Sequence, residues 1–162
     1  MHTKIACLCA TLLWPGVAFA DAGHNHGSSA KYDGHAAAMG EPGDPKARGV
    51  RTIEVSMNDK MRFQPATLTV KRGETVRFVV KNTGETKHEL VLGTPAELTE
   101  HAKLMQKFPE MEHDDPNAVA VEPGKSGSFV WKFTKAGDWD IGFACLIPGH
   151  FEAGMKGRVV VR

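Results

Sequence analysis

From residue 51 onward, apolar and polar residues alternate in short runs that are separated by turn-forming residues. The runs are TIEVSM, TLTV, ETVRFVVKN, HELVLG, SGSFVWKF, DWDIGFAC and GRVVVR. Alternation with a period of two is typical of strands that bury one face. The pattern predicts about seven strands, and a folded region of about 112 residues suits one all-β sandwich of two packed sheets.

One segment, TPAELTEHAKLMQKF, breaks the strand pattern and predicts a single helical insert. Thr94 is placed to cap the helix, Pro95 to occupy its first position and Glu97 to complete a capping box. The apolar residues that follow at helical spacing are Leu98, Ala102, Leu104, Met105 and Phe108. The acidic loop PEMEHDDPN comes after the helix.

The amino-terminal part of the chain has a different composition. Residues 1–20 combine Lys4, an apolar run and the ending Ala18-Phe19-Ala20, which is typical of a cleavable secretory signal. Residues 21–50 are rich in Gly, Ala, Ser, Asp and Pro, so we predict a flexible, His-containing tail. The folded domain would then span residues 51–162 of a periplasmic protein.

Charge excludes some classes of partner. The chain has 20 basic and 19 acidic residues, a formal net charge of +1, and cleavage of the signal would remove Lys4. A neutral protein without a basic run is unsuited to binding nucleic acid or an anionic membrane surface. No apolar stretch after the signal is long enough to span a bilayer. We expect a monomer with no membrane span.

The loop CLIPGHFEAGM carries the most informative chemistry. Cys7 and Cys9 lie within the predicted signal, so Cys145 would be the one cysteine of the exported chain. His150 and Met155 follow Cys145 at intervals of five residues. Thiolate, imidazole and thioether are three donors of a mononuclear type 1 copper site, which also needs a second histidine.

The second histidine has to come from elsewhere in the chain. His88 is the preferred candidate because it begins an apolar strand after a turn, whereas His101 and His113 lie on or after the helical insert. Cys145 alone would more often be a buried structural thiol. Zinc could use similar ligands, but structural zinc prefers more cysteine and no methionine.

Weaker copper sites are also conceivable outside this set. The tail contains His24, His26, His35 and Met39, and the acidic loop contains Met111 and His113. A solvated tail and a solvated acidic loop are the simpler interpretations of these segments. Met105 fits core packing, because it lies on the apolar stripe of the predicted helix.

Three segments, KHELVLGTPAEL, HDDPNAV and CLIPGHFEAGMKG, resemble the exported copper-tolerance cupredoxins of the CopI type over about residues 50–162. The resemblance implies a Greek-key β-sandwich, a type 1 copper centre and one-electron redox activity. It implies that His88, Cys145 and His150 are ligands and that Met155 is the axial ligand. Many electron-carrying members have Asn after the upstream ligand histidine, where it ties the two ligand loops together; this chain has Glu89.

Two functions are consistent with these observations. The first is copper tolerance or homeostasis in the cell envelope. The alternative is a dedicated electron shuttle, whose redox partner would dock where His150 meets an apolar patch that includes Pro148 and Phe151. We do not expect an enzyme, because four protein ligands leave no open metal position for a substrate.

Overall fold

The structure is a computed structural model that describes residues 39–111, 114–134 and 140–162. These residues form ten strands and one helix, α1 (Pro95–Lys107), which lies between β6 and β7. The strands are β1 (Glu41–Pro42), β2 (Arg51–Asn58), β3 (Arg62–Gln64), β4 (Thr67–Val70), β5 (Thr75–Asn82), β6 (His88–Gly93), β7 (Ala118–Val121), β8 (Ser126–Lys132), β9 (Ile141–Ala144) and β10 (Lys156–Val161).

The strands form two five-stranded sheets, in the orders β1-β8-β5-β2-β3 and β4-β10-β9-β6-β7. The β2–β5 and β10–β4 pairs are parallel, and all the other pairs in the two sheets are antiparallel. This architecture confirms the predicted sandwich with one helical insert. The additional strands β1 and β3 have two and three residues, too few to show an alternation. Strand β7 has the sequence AVAV, in which no polar residue alternates with the apolar ones.

Alternate residues of both sheets form the main core, as the period of two requires. In β6, for example, His88, Leu90 and Leu92 are buried toward this core. Phe63 from the first sheet meets Phe143 from the second edge to face, with ring centroids 5.0 Å apart. The odd-numbered residues of β6 therefore face the opposite side of their sheet.

Helix α1 begins with the predicted capping box. The Thr94 hydroxyl accepts from the Glu97 backbone N–H at 3.3 Å, and the Glu97 carboxylate accepts from the Thr94 N–H at 2.7 Å. Leu98, Ala102 and Met105 are buried against Val91, Ala144 and Leu146, on the outer side of the second sheet. Leu104 and Phe108, whose spacing also predicts an apolar helix face, are 38% and 54% exposed.

A short strand and a residue of the main core precede the predicted boundary at residue 51. Strand β1 pairs with β8, with Glu41 opposite Lys132, and so covers an edge that β8 would otherwise expose. Met39 is buried in the main core. The predicted signal and residues 21–38 lie outside the described residues. Within the described part of the chain, no helix is long and apolar enough to cross a membrane.

Candidate metal centre

Three of the predicted ligands meet at one edge of the sandwich. The donor atoms of His88, Cys145 and His150 all lie within 4.8 Å of one another. The Nδ1 atoms of the two histidines are 3.2 Å apart, and Cys145 Sγ lies 3.3 Å from His150 Nδ1. These spacings fit donors arranged around a single ion with bonds of about 2.0 to 2.3 Å. Two imidazoles and a thiolate are a donor set that suits copper.

The sheet explains how the donors converge. Strands β6 and β9 are antiparallel neighbours, so His88 at the start of β6 and Cys145 just after β9 reach the same edge. His150 lies in the loop that leads back to β10, where its N–H donates to the Ile147 carbonyl at 3.0 Å. Gly149 has a φ of 89° in this loop, a left-handed conformation that favours glycine.

Asp59, in the turn between β2 and β3, orients the buried histidine. Its carboxylate lies 3.0 Å from His88 Nε2 and also accepts from the backbone N–H of Glu85 and the hydroxyl of Thr86. A carboxylate can only accept, so this hydrogen bond places a ring proton of His88 on Nε2 and directs Nδ1 toward the other donors. The pKa of Asp59 is lowered, chiefly by the hydrogen bond from Glu85 N–H and next by that from Thr86.

Sequence reasoning missed Asp59. It follows β2 as an ordinary turn residue, 29 positions before His88, and nothing in its local sequence marks it as a partner of that histidine. Only the folding of the β2–β3 turn against the start of β6 brings the two side chains together.

Glu89 occupies the position at which the sequence departs from many electron carriers. Its carboxylate accepts from the backbone N–H of Leu146 at 2.8 Å, directly after Cys145. The side chain therefore ties β6 to the start of the ligand loop. The connection between the two ligand regions is present, with a carboxylate as the acceptor.

Burial keeps two of the donors neutral in the absence of metal. It raises the pKa of the Cys145 thiol to about 12. Burial also lowers the pKa of His150, and the nearby His88 acts in the same direction. A metal ion that binds here must therefore displace the thiol proton, whereas a neutral imidazole can coordinate directly.

Met155 is fully buried at the end of the same loop. Its N–H donates to the His150 carbonyl at 3.0 Å, and its carbonyl accepts from the Cys145 N–H at 3.1 Å. The backbone thus links Met155 to both loop donors. This placement is compatible with the predicted axial role.

The remaining candidates for copper binding lie in the predicted tail and in the acidic loop. His24, His26, His35 and His113 lie outside the described residues. Met39 belongs to the core and is 3% exposed, so it does not extend from a solvated tail. Met111 is 37% exposed.

A family model for copper-binding proteins of the plastocyanin/azurin family matches residues 50–162. The chain belongs to this family. Its cofactor is copper, and its fold is that of a cupredoxin. The matched region contains all four predicted ligands.

Two relatives within the range of clear similarity cover most of the chain. The chain is 57% identical over 165 residues to the copper-resistant cuproprotein CopI of Rubrivivax gelatinosus, covering 97% of this chain and 95% of that protein. It is 41% identical over 157 residues to the copper-resistant cuproprotein CopI of Pseudomonas aeruginosa, covering 79% of this chain and 84% of that protein.

Solved structures support the fold. The reduced auracyanin of Roseiflexus castenholzii matches with a TM-score of 0.61 and 22% identity, over 70% of this cupredoxin and 98% of that chain. Auracyanin A, a "blue" copper protein of Chloroflexus aurantiacus, matches with a TM-score of 0.59 and 25% identity, over 70% and 100%.

Proposed function

We propose that this cupredoxin acts in copper tolerance in the periplasm and holds one copper ion in a type 1 centre. The observation that carries the proposal is the convergence of His88, Cys145 and His150, which come from the start of β6, the position just after β9 and the loop before β10. The relatives that are named copper-resistant cuproproteins support the biological role.

In this centre, Cys145 would supply the thiolate, His88 and His150 the imidazoles, and Met155 a weaker thioether donor. Bound copper supplies one-electron redox chemistry. The chain keeps the donors in place: Asp59 orients His88, Glu89 ties the strand to the loop, and Met155 links both loop donors through its backbone. A frame that changes little between oxidation states favours rapid electron exchange.

We further propose that the protein is a monomer and that it binds and cycles copper without turning over an organic substrate. Four protein donors fill the positions around a type 1 ion. Tolerance would then come from sequestering copper or from changing its oxidation state.

An electron shuttle is the second candidate, and the partial exposure of His150 favours it. His88 is fully buried, whereas His150 reaches the surface and so offers electrons a route to a partner. The predicted docking patch is less apolar than its sequence suggests, because the Lys156 ammonium lies 3.5 Å from the centre of the Phe151 ring. A partner that docks there would have to displace or accept this cation.

The centre is tested by adding one equivalent of Cu(II) to the purified mature protein and recording its visible absorption and electron paramagnetic resonance spectra. We expect an intense thiolate-to-copper charge-transfer band that Cys145→Ser abolishes. Gly124→Ala, in a turn between β7 and β8, is the folded control and should keep the band. An unchanged spectrum in Cys145→Ser would reject the proposed centre.

The role is tested in cells that lack the gene. We expect the deletion strain to be sensitive to copper, and we expect the wild-type gene, but not Cys145→Ser, to restore growth. Normal growth of the deletion strain across a copper titration would reject tolerance. In that case, rapid electron exchange with a respiratory partner would support the shuttle.

A further inference from the structure

A second group of soft donors lies beside the proposed centre. A recess of about 570 Å³ opens on the outer side of the second sheet, between β6, helix α1, the segment after the helix and the ligand loop. We call it the helix recess. His150 lines it together with His101, Met105 and Met111.

Helix α1 and the segment after it place three of these donors around the helix recess. His101 and Met105 are four residues apart on α1, so they occupy the same face of the helix, and they are 6% and 4% exposed. Met111 lies one turn beyond the helix, where its N–H donates to the Phe108 carbonyl at 3.1 Å. One imidazole and two thioethers therefore line the same recess from adjacent segments.

This donor set selects a soft cation. Thioethers and imidazole suit Cu(I), whereas Ca²⁺ and Mg²⁺ prefer oxygen ligands. The charge of the lining also favours a cation. Among the described residues, Glu89, Glu110 and Asp115 contribute carboxylates, and Lys87 is the one Lys or Arg.

We propose that the helix recess binds Cu(I) through His101, Met105 and Met111, at a site separate from the type 1 centre. The site lies next to His150, so a cuprous ion held there is adjacent to the exposed ligand of the centre. The inference rests on the proposed copper-tolerance function for its biological meaning. The metal binding that it predicts is measured independently of that function.

Apolar packing is the competing explanation for Met105. Its side chain belongs to the cluster with Val91, Leu98, Ala102, Ala144 and Leu146, and it would fill that space without binding any metal. The two explanations differ in what leucine would do. Leucine preserves apolar volume but has no sulfur, so it should retain the packing and remove the ligand.

The first measurement follows the methionine ε-methyl NMR signals of the mature protein while Cu(I) is added without oxygen. After the first equivalent has filled the type 1 centre, we expect further Cu(I) to shift the signals of Met105 and Met111. Met57, a fully buried methionine of the main core, is the internal control and should not move. Unmoved Met105 and Met111 signals would overturn the proposal.

The second measurement is competition for Cu(I) with a chromophoric chelator, using the double variant Met105→Leu/Met111→Leu. We expect affinity for the additional Cu(I) to fall by about tenfold or more, while Met57→Leu binds like the wild type. Equal affinity in the double variant and the wild type would overturn the site.

The Cu(II) charge-transfer band separates the two proposals. If the band is present and the recess methionines do not respond, the recess site alone is rejected. If the band is absent and those methionines do respond to Cu(I), the type 1 centre is rejected and the recess site is supported.

Discussion

The two histidines of the proposed centre are held in different ways. His88 is fully buried, and its ring is oriented by Asp59 from another part of the chain. His150 is half-buried, and the backbone around it is held by hydrogen bonds to Ile147 and Met155 within its own loop. One ligand therefore depends on a tertiary contact between distant segments, and the other on the local conformation of the loop.

The surroundings of His88 therefore provide rigidity, and those of His150 provide access to the surface. The region around His88 excludes solvent and fixes which ring nitrogen faces the metal. The loop around His150 keeps the other histidine at the surface, where the proposed partner or the proposed cuprous ion would approach it. A change near His88 and a change near His150 should therefore affect the copper centre differently.

The largest effect is expected from removing either ligand ring. His88→Gly and His150→Gly should both lose the charge-transfer band of the copper-loaded protein. Added imidazole should restore the band in His150→Gly, because that position reaches solvent, but not in His88→Gly, whose position is closed. Visible absorption during an imidazole titration measures this. Equal recovery in both variants would show that burial does not distinguish the two ligands.

A smaller effect is expected from Asp59→Asn, which removes the carboxylate that orients His88. Loss of such a partner typically weakens metal binding by about 10- to 100-fold, and we expect this reduction in Cu(II) affinity. Glu54→Gln, an exposed carboxylate on β2, is the matched control and should bind copper like the wild type. Unchanged affinity in Asp59→Asn would mean that the carboxylate does not support the ligand.

The same variant has a pH signature in the metal-free protein. The pKa of Asp59 is lowered in the folded state, so its contribution to stability is present above its ordinary pKa of about 4 and is lost as the pH falls below that value. The free energy of unfolding should thus decrease more steeply below pH ~4 in the wild type than in Asp59→Asn. Parallel pH profiles would contradict this contribution.

The smallest effect is expected in the loop around His150. Gly149 and Gly124 have φ values of 89° and 70°, and a Cβ added at either would meet no atom within 4 Å. Alanine at either position should lower the free energy of unfolding by about 1 to 2 kcal/mol through backbone strain alone. Only Gly149→Ala should also shift the copper absorption band, since it precedes His150. Denaturant unfolding measures the stability of both variants, and visible absorption measures the copper band. Identical spectra for Gly149→Ala and the wild type would contradict the predicted link between Gly149 and the copper site.

Much of the fold could be predicted because its signals are local. The alternating runs of β5 and β6 and the capping residues of α1 depend on the residues within each segment. Strand β3 has only three residues, too few to show an alternation. Strand β1 could not be predicted from local signals, because the edge that it pairs with belongs to β8, in a distant part of the chain. The composition around Met39 predicts a tail residue for the same reason: the core that buries Met39 is formed by segments distant in the sequence.

For the site, the sequence by itself determined the donor chemistry: the spacing of Cys145, His150 and Met155 in one loop indicated a copper ligand set without reference to the fold. The tertiary structure decided what surrounds those donors. It brought Asp59 to His88, turned Glu89 toward the N–H of Leu146, and placed Met105 of the helix and Met111 beyond it in the same recess as His150. Ligand identity is a property of side chains along the chain, whereas orientation, burial and neighbouring sites arise only when separate strands and the helix pack together.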